Sequence, residues 1–299
     1  MTLQQGANRM PSPIIVTDST CDLPRAIFDQ YDIHLVPLRV LFGDESYRSG
    51  VDMHLAEFAE RLAQGDVHPT TSQPTVHDFK EIYQALGPAP VLSIHVSHGL
   101  SGTYNTAYQA AQALPDQSIT VWDSGTISAA LGLQVLTAAR AAQAGYPVEQ
   151  ILPLLEQTHA AADFLFVMDD LSYLVRGGRL GTVQYHVAQA LHIKPVITVS
   201  KAGDTAGIYV PTGRVRSLEK AVDFFYKHIL KTVGEGGTLR ALSFYGTDPT
   251  PDLVARLNAK LEQHFNCVYL ASGPSTPVLG VHVGPKAMDI GFVAGDWPM

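Results

Sequence analysis

The stretch that most constrains the fold is 91–114, V-L-S-I-H-V-S-H-G-L-S-G-T-Y-N-T-A-Y-Q-A-A-Q-A-L. A largely apolar, β-branched run over 91–96 passes through a Ser/His/Gly turn into a helical pattern, with Ala107, Ala110, Ala111 and Leu114 on one face. That is strand, turn, helix. The unit recurs: a strand over 13–18 precedes a helix ending near Tyr31, and a strand over 34–42 precedes a helix over 54–63. A strand over 118–123 leads into an Ala/Leu-rich helix over 127–144, apolar nearly all round and so expected to be buried. Strands alternating with helices predict a parallel sheet flanked by helices.

The pattern continues with strands over 164–168, 193–199 and 207–215, a helix capped by Ser217, a strand over 239–245, a helix over 251–265 and a strand over 267–271. Pro195 makes the second of these strands peripheral, or starts it after residue 195. The last apolar segment, 276–294, places His282 on a strand beside a Gly-Pro turn. We therefore expect two α/β domains, 13–160 with a parallel sheet and 161–299 with a mixed sheet. A leader over 1–12, without the apolar core of a secretory signal, is expected to be disordered.

Hydrophobic residues make up 46% of the chain and charged residues 16%, yet no continuous run reaches the length of a membrane span. Such a balance predicts large interior surfaces or an apolar cavity, and no stable membrane insertion. A net charge of −8 without a Lys/Arg stripe argues against nucleic-acid binding. Cys21 and Cys267 stand far apart, allow neither a C-x-x-C pair nor a zinc set, and are read as reduced thiols of a cytoplasmic protein.

Two turns are rich in hydroxyls. Ser97, Ser101 and Thr103 fall where the first backbone N–H groups of a helix lack partners, and Thr70, Thr71 and Ser72 precede Pro74, which biases Gln73 away from helical angles. Two such turns before two helices point to a shared anion site, although Ser101 as a simple cap stays open. Asp18, Ser19 and Thr20, at the carboxyl end of the first strand, serve equally as cap or ligand contact.

Three segments together carry a resemblance. D-S-T-C-D-L-P (18–24), T-S-Q-P-T (71–75) and L-S-G-T-Y (100–104) resemble the signature segments of the DegV family of bacterial fatty-acid-binding proteins, some of which are the lipid-carrying subunit of fatty acid kinase. The similarity extends to L-x-x-L-x-x-G-G-R-[IL] at 171–180 and to G-x-H-x-G-P-G, matched by Gly280, His282, Gly284 and Pro285 but with Lys286 for the last glycine. The resemblance implies a long-chain fatty acid in an apolar tunnel between the domains, with its carboxylate at Thr71, Ser72, Ser101 and His282. It implies presentation to a separate ATP-binding fatty acid kinase subunit, with Arg179 and Arg216 meeting the added phosphate or the partner. It implies no cofactor and no metal, and it sets the cation of Lys286 beside the site. Consistently, the sequence has no G-x-x-x-x-G-K-[ST] loop.

Two other readings remain. In one, a serine-dependent acyl hydrolase or transferase uses Ser101 as nucleophile and His282 as base, although the G-x-S-x-G elbow wants glycine where Thr103 stands. In the other, the chain is an interaction or regulatory module.

Overall fold

The computed structural model describes residues 11–65, 67–179, 193–248 and 251–298, so most of the expected 1–12 leader, and the motif residue Leu180, lie outside the described residues. The chain builds two α/β domains. The first contains strands β1 (Ile14–Asp18), β2 (His34–Val36), β3 (Arg39–Phe42), β4 (Glu45–Arg48), β5 (Thr70–Ser72), β6 (Val91–His95) and β7 (Ile119–Asp123). Between them run helices α1 (Arg25–Tyr31), α2 (Leu55–Gln64), α3 (Val76–Ala85) and α4 (Thr103–Gln112), with α5 (Ser128–Gln143) and α6 (Val148–Ala161) after β7. The second domain follows as β8 (Ala162–Met168), α7 (Ser172–Arg176), β9 (Lys194–Val199), β10 (Tyr209–Val215) and α8 (Leu218–Val233). It closes with β11 (Thr238–Tyr245), α9 (Pro251–His264), β12 (Asn266–Pro274), α10 (Pro277–Val283) and β13 (Ala287–Ala294).

The expected parallel sheet is present, in the order β2-β1-β6-β7. The predicted strand over 34–42 is two strands. Pro37, which has no amide hydrogen, falls between them; β2 stays in the parallel sheet while β3 leaves it to join a separate antiparallel sheet, β4-β3-β5. Pairing of Val40 with Thr71 and of Arg39 with Ser72 fixes the register of β5, and with it which hydroxyls face inward.

The sheet of the second domain is mixed, in the order β10-β9-β8-β13-β11-β12, with only β11 and β12 parallel. β9 includes Pro195 and lies one strand in from the edge, not at it; its pairing with β8 is at Phe166 and Ile197, away from the proline. The apolar segment around His282 is a helix, α10, rather than the predicted strand. Its β-branched valines read locally as extended, but Pro277 at the helix start has the backbone angle a helix needs, and packing against β3, β5 and α7 settles the outcome.

Helix α5 lies between the two sheets, touching β1 and β6 on one side and β8, β11 and β13 on the other, which is why it is apolar all round. Gly291 permits the closest approach: a methyl group there would lie 2.6 Å from the Ala129 carbonyl carbon and nearer still to the Ala130 amide nitrogen.

Candidate functional site

A cavity opens where the two domains meet. Its apolar walls come from both: Leu38, Val96, Leu100 and Ile127 from the first, Phe164, Phe166, Val278 and Leu279 from the second. Thr71, Ser101, His282 and Arg179, which stand in four separate sequence segments, all line it.

Each hydroxyl has a local reason for its place. Thr71 is the central residue of β5, and alternation along a strand turns Thr70 and Ser72 to the outside. Ser72 is therefore absent from the cavity wall, and its hydroxyl donates to the Gln73 carbonyl at 3.2 Å. Ser101 precedes α4, where its Oγ lies 2.8 Å from the Thr103 hydroxyl and accepts from the Thr103 amide at 3.3 Å. Ser97 faces elsewhere: it donates to the Gly207 carbonyl at 2.8 Å and ties this turn to the β9–β10 connection. In the first loop, Asp18 is a cap and Ser19 accepts from the Leu38 amide, while Thr20 lines the cavity.

His282 is held at both ring nitrogens. Its Nε2 lies 2.9 Å from the Thr71 hydroxyl, while Nδ1 is shut from water and has no hydrogen-bond partner among the described residues. Gly177 covers the Nδ1 edge so closely that a Cβ there would overlap it. Hydrogen on Nδ1 would be a buried donor with nothing to accept it, so the network assigns the proton to Nε2. Nε2 then donates to Thr71 and leaves the Thr71 hydroxyl hydrogen free for a ligand. Burial, followed by the charges of Arg179 and His68, pushes the imidazole down to about 4, so it is neutral at pH 7. A neutral relay of this kind suits an anion that must be held without being neutralised.

Replacement of Gly177 by alanine is expected to displace His282 and weaken ligand binding by about 10-fold, as overpacking against a ring does. Its backbone is helical in sign, so only the added methyl acts. Equilibrium binding by the Gly177→Ala protein checks this, and unaltered affinity would show that the ring has room to move.

Gln73, not singled out from the sequence, also lines the cavity; its amide donates to the Thr106 hydroxyl at 2.7 Å and packs against Gly102, locking the β5 loop to α4. The T-S-Q-P-T segment contained that signal. Arg179 is exposed, with Nη1 donating to the Gly177 carbonyl at 2.7 Å, and so holds a charge beside the His282 end of the cavity. Arg216 is elsewhere, in a surface groove with Arg214, Lys220 and Lys227. Lys286 is also turned away, with Nζ 3.7 Å from Asp248, and does not line the cavity.

Hydrolase geometry is not favoured. Ser101 bonds to Thr103 rather than to His282, and the nitrogen of His282 at which a triad would place its carboxylate has no partner among the described residues. An Asp18–His95–Ser93 chain does exist, with contacts of 3.0 and 2.6 Å, but all three residues are fully buried and Ser93 is covered by the Tyr83 hydroxyl. Among the described residues no group of three His, Cys, Asp or Glu side chains is placed to hold a metal ion. No described helix is long and apolar enough to cross a membrane.

A family model described as "Uncharacterised protein, DegV family" matches residues 14–295. The chain belongs to the DegV family. A DegV domain-containing protein of Deinococcus radiodurans is 34% identical over 290 residues, covering 97% of this chain and 98% of its own length. Among solved DegV structures, the fatty-acid-binding protein of Thermus thermophilus aligns with a TM-score of 0.86 at 31% identity, covering 95% of this chain and all of its own. DegV of Bacillus subtilis, a fatty acid binding protein, aligns at 0.83 with 28% identity over 95% of this chain and all of its own. The DegV motifs on this chain are the loops that build the cavity: T-S-Q-P-T supplies Thr71 and Gln73, L-S-G-T-Y supplies Leu100 and Ser101, and the G-G-R segment supplies Arg179.

Proposed function

We propose that this chain binds a long-chain fatty acid in the interdomain cavity and presents its carboxylate to a separate ATP-binding fatty acid kinase subunit in the cytoplasm. The observation that carries the reading is the meeting of Thr71, Ser101 and the neutral His282 at an apolar-walled cavity between the domains. Each buried methylene contributes about 0.8 kcal/mol, so a dozen offer about 10 kcal/mol before ordering costs. Affinity then comes from the chain. The carboxylate needs only hydroxyl donors to fix its position, and these leave an oxygen open to a phosphoryl group, where an arginine fork would occupy both.

Arg179, exposed beside the His282 end, takes the added phosphate or the partner's surface. Ser72 and Arg216 do not line the cavity. In this reading ATP binds on the kinase subunit, and the chain itself works without a cofactor.

The test is reconstitution with ATP, Mg²⁺ and the kinase subunit. Acyl phosphate should form only when this lipid-loaded chain is present. Arg179→Ala should keep its lipid and lose at least about 10-fold in phosphorylation rate, the scale of a lost charge-assisted contact. Equal turnover without this chain, or loss of lipid in the variant, would contradict the assignment.

A further inference from the structure

A second, smaller pocket lies behind the interdomain cavity, and Phe164 is the described residue that lines both. Three segments pass from one to the other in step. On β8, Phe166 lines the cavity and Ala162 the pocket, with Phe164 between them. Where the chain enters α5, Ile127 lines the cavity and Thr126 the pocket. Across the β9–β10 pair, Tyr209 lines the cavity and Val199, opposite it, the pocket.

The pocket lies at the end of the cavity away from the carboxylate site. Strands β8 and β13 are antiparallel, with Met168 opposite Ala287 and Phe164 opposite Gly291. His282 stands shortly before Ala287 and Arg179 after Met168, so that end of the strand pair is the head end. Phe164 is four residues back along β8, about 13 Å at the rise of a strand. Alternation keeps it on the same face as Phe166, with ring centroids 5.7 Å apart, and it is 4% exposed. Its amide donates to Asp163 Oδ1 at 3.0 Å. Behind the ring, the buried Ala130, Ala162 and Val199 form an apolar wall, and the less buried His159, Asp163 and Lys201 make the outer side polar. An acyl chain running from Thr71 along β8 meets the Phe164 ring before it reaches that wall.

We infer that Phe164 is a specificity residue that sets the longest acyl chain the protein takes, by closing the cavity against the second pocket. The inference rests on the fatty-acid reading above and deepens it. Each methylene buried short of the ring adds affinity, whereas the next must displace an aromatic side chain from a packed wall. With the ring removed, the chain end gains the apolar wall behind it. The polar outer side, which a methyl end would strip of water, then sets the new limit.

The test is displacement of a fluorescent fatty acid from the delipidated full-length protein by saturated acids of increasing even chain length, from about twelve to about twenty-two carbons. Affinity should rise by about 10-fold for each two carbons that are buried, then fall by about 10-fold where the chain end reaches Phe164. Phe164→Ala should move that limit upward by at least about two carbons, since the ring no longer bars the pocket. Should the alanine variant not fold, Phe164→Leu decides, with a smaller shift in the same direction. No fall anywhere in the wild-type series overturns the inference while fatty-acid binding stands. So does an unmoved limit in the folded variant, including a loss of affinity spread evenly over all lengths. If no acid in the series displaces the probe, the fatty-acid reading fails and the inference with it.

Discussion

Thr71→Val should weaken fatty-acid binding by about 10- to 150-fold, measured by displacement of a fluorescent fatty acid from delipidated protein. The substitution keeps the shape and β-branching that suit β5 and removes only the hydroxyl. Two losses follow from that one atom. The carboxylate loses a donor, and Nε2 of His282, held at 2.9 Å from Thr71, loses its partner in a site where Nδ1 already has none. Hydrogen bonds to charged groups contribute about 1.5–3 kcal/mol, and the stranded imidazole adds to the penalty. Circular dichroism should show the fold intact, because the Val40–Thr71 pairing is made by backbone. Unchanged affinity would mean that Thr71 only fills space.

Gly291→Ala should destabilise the chain by about 3 kcal/mol, the upper end of overpacking in a core. The conversion for chains of this size is roughly 2–4 °C per kcal/mol, so the first thermal transition should fall by about 6–12 °C. The clash is with backbone: the added methyl meets Ala129 and Ala130 of α5, which cannot rotate away as a side chain can. α5 touches strands of both sheets and bears Ser128 at the cavity, so lifting it off β13 disturbs both domains and the site at once. A shift below about 2 °C would show that α5 is free to rise, and that the two domains are joined less rigidly than this packing implies.

The alternation of β-branched runs with helical patterns made the parallel sheet legible, because buried parallel strands must be short, apolar and separated by helices. The fate of 34–42 was not legible in the same way: Pro37 marks a break, but only the pairing of β3 with β5 shows that the chain changes sheets there. His282 was read on a strand because its valines are β-branched, and tertiary contacts made the segment a helix.

At the site, hydroxyl-rich turns before helices signalled Thr71 and Ser101, since such turns bring donors to one end of a sheet. Strand alternation, applied strictly to β5, separates Ser72 from Thr71. Arg216 matched a motif position, but the fold takes it to another surface. The hydrogen-bonded cluster of Asp22, Ser128 and Asp289 beside the cavity could not be read at all. Its members come from the loop after β1, the start of α5 and the middle of β13, and no short motif links them.

The central claim is that hydroxyls from separate loops hold the head of an acyl chain whose tail fills the interdomain cavity. Mass spectrometry of lipid released by denaturing the protein, purified from a bacterial host, tests this most directly. The account predicts about one acyl chain per protein chain. Protein that releases none, and takes up neither palmitate nor oleate when they are added, would contradict it.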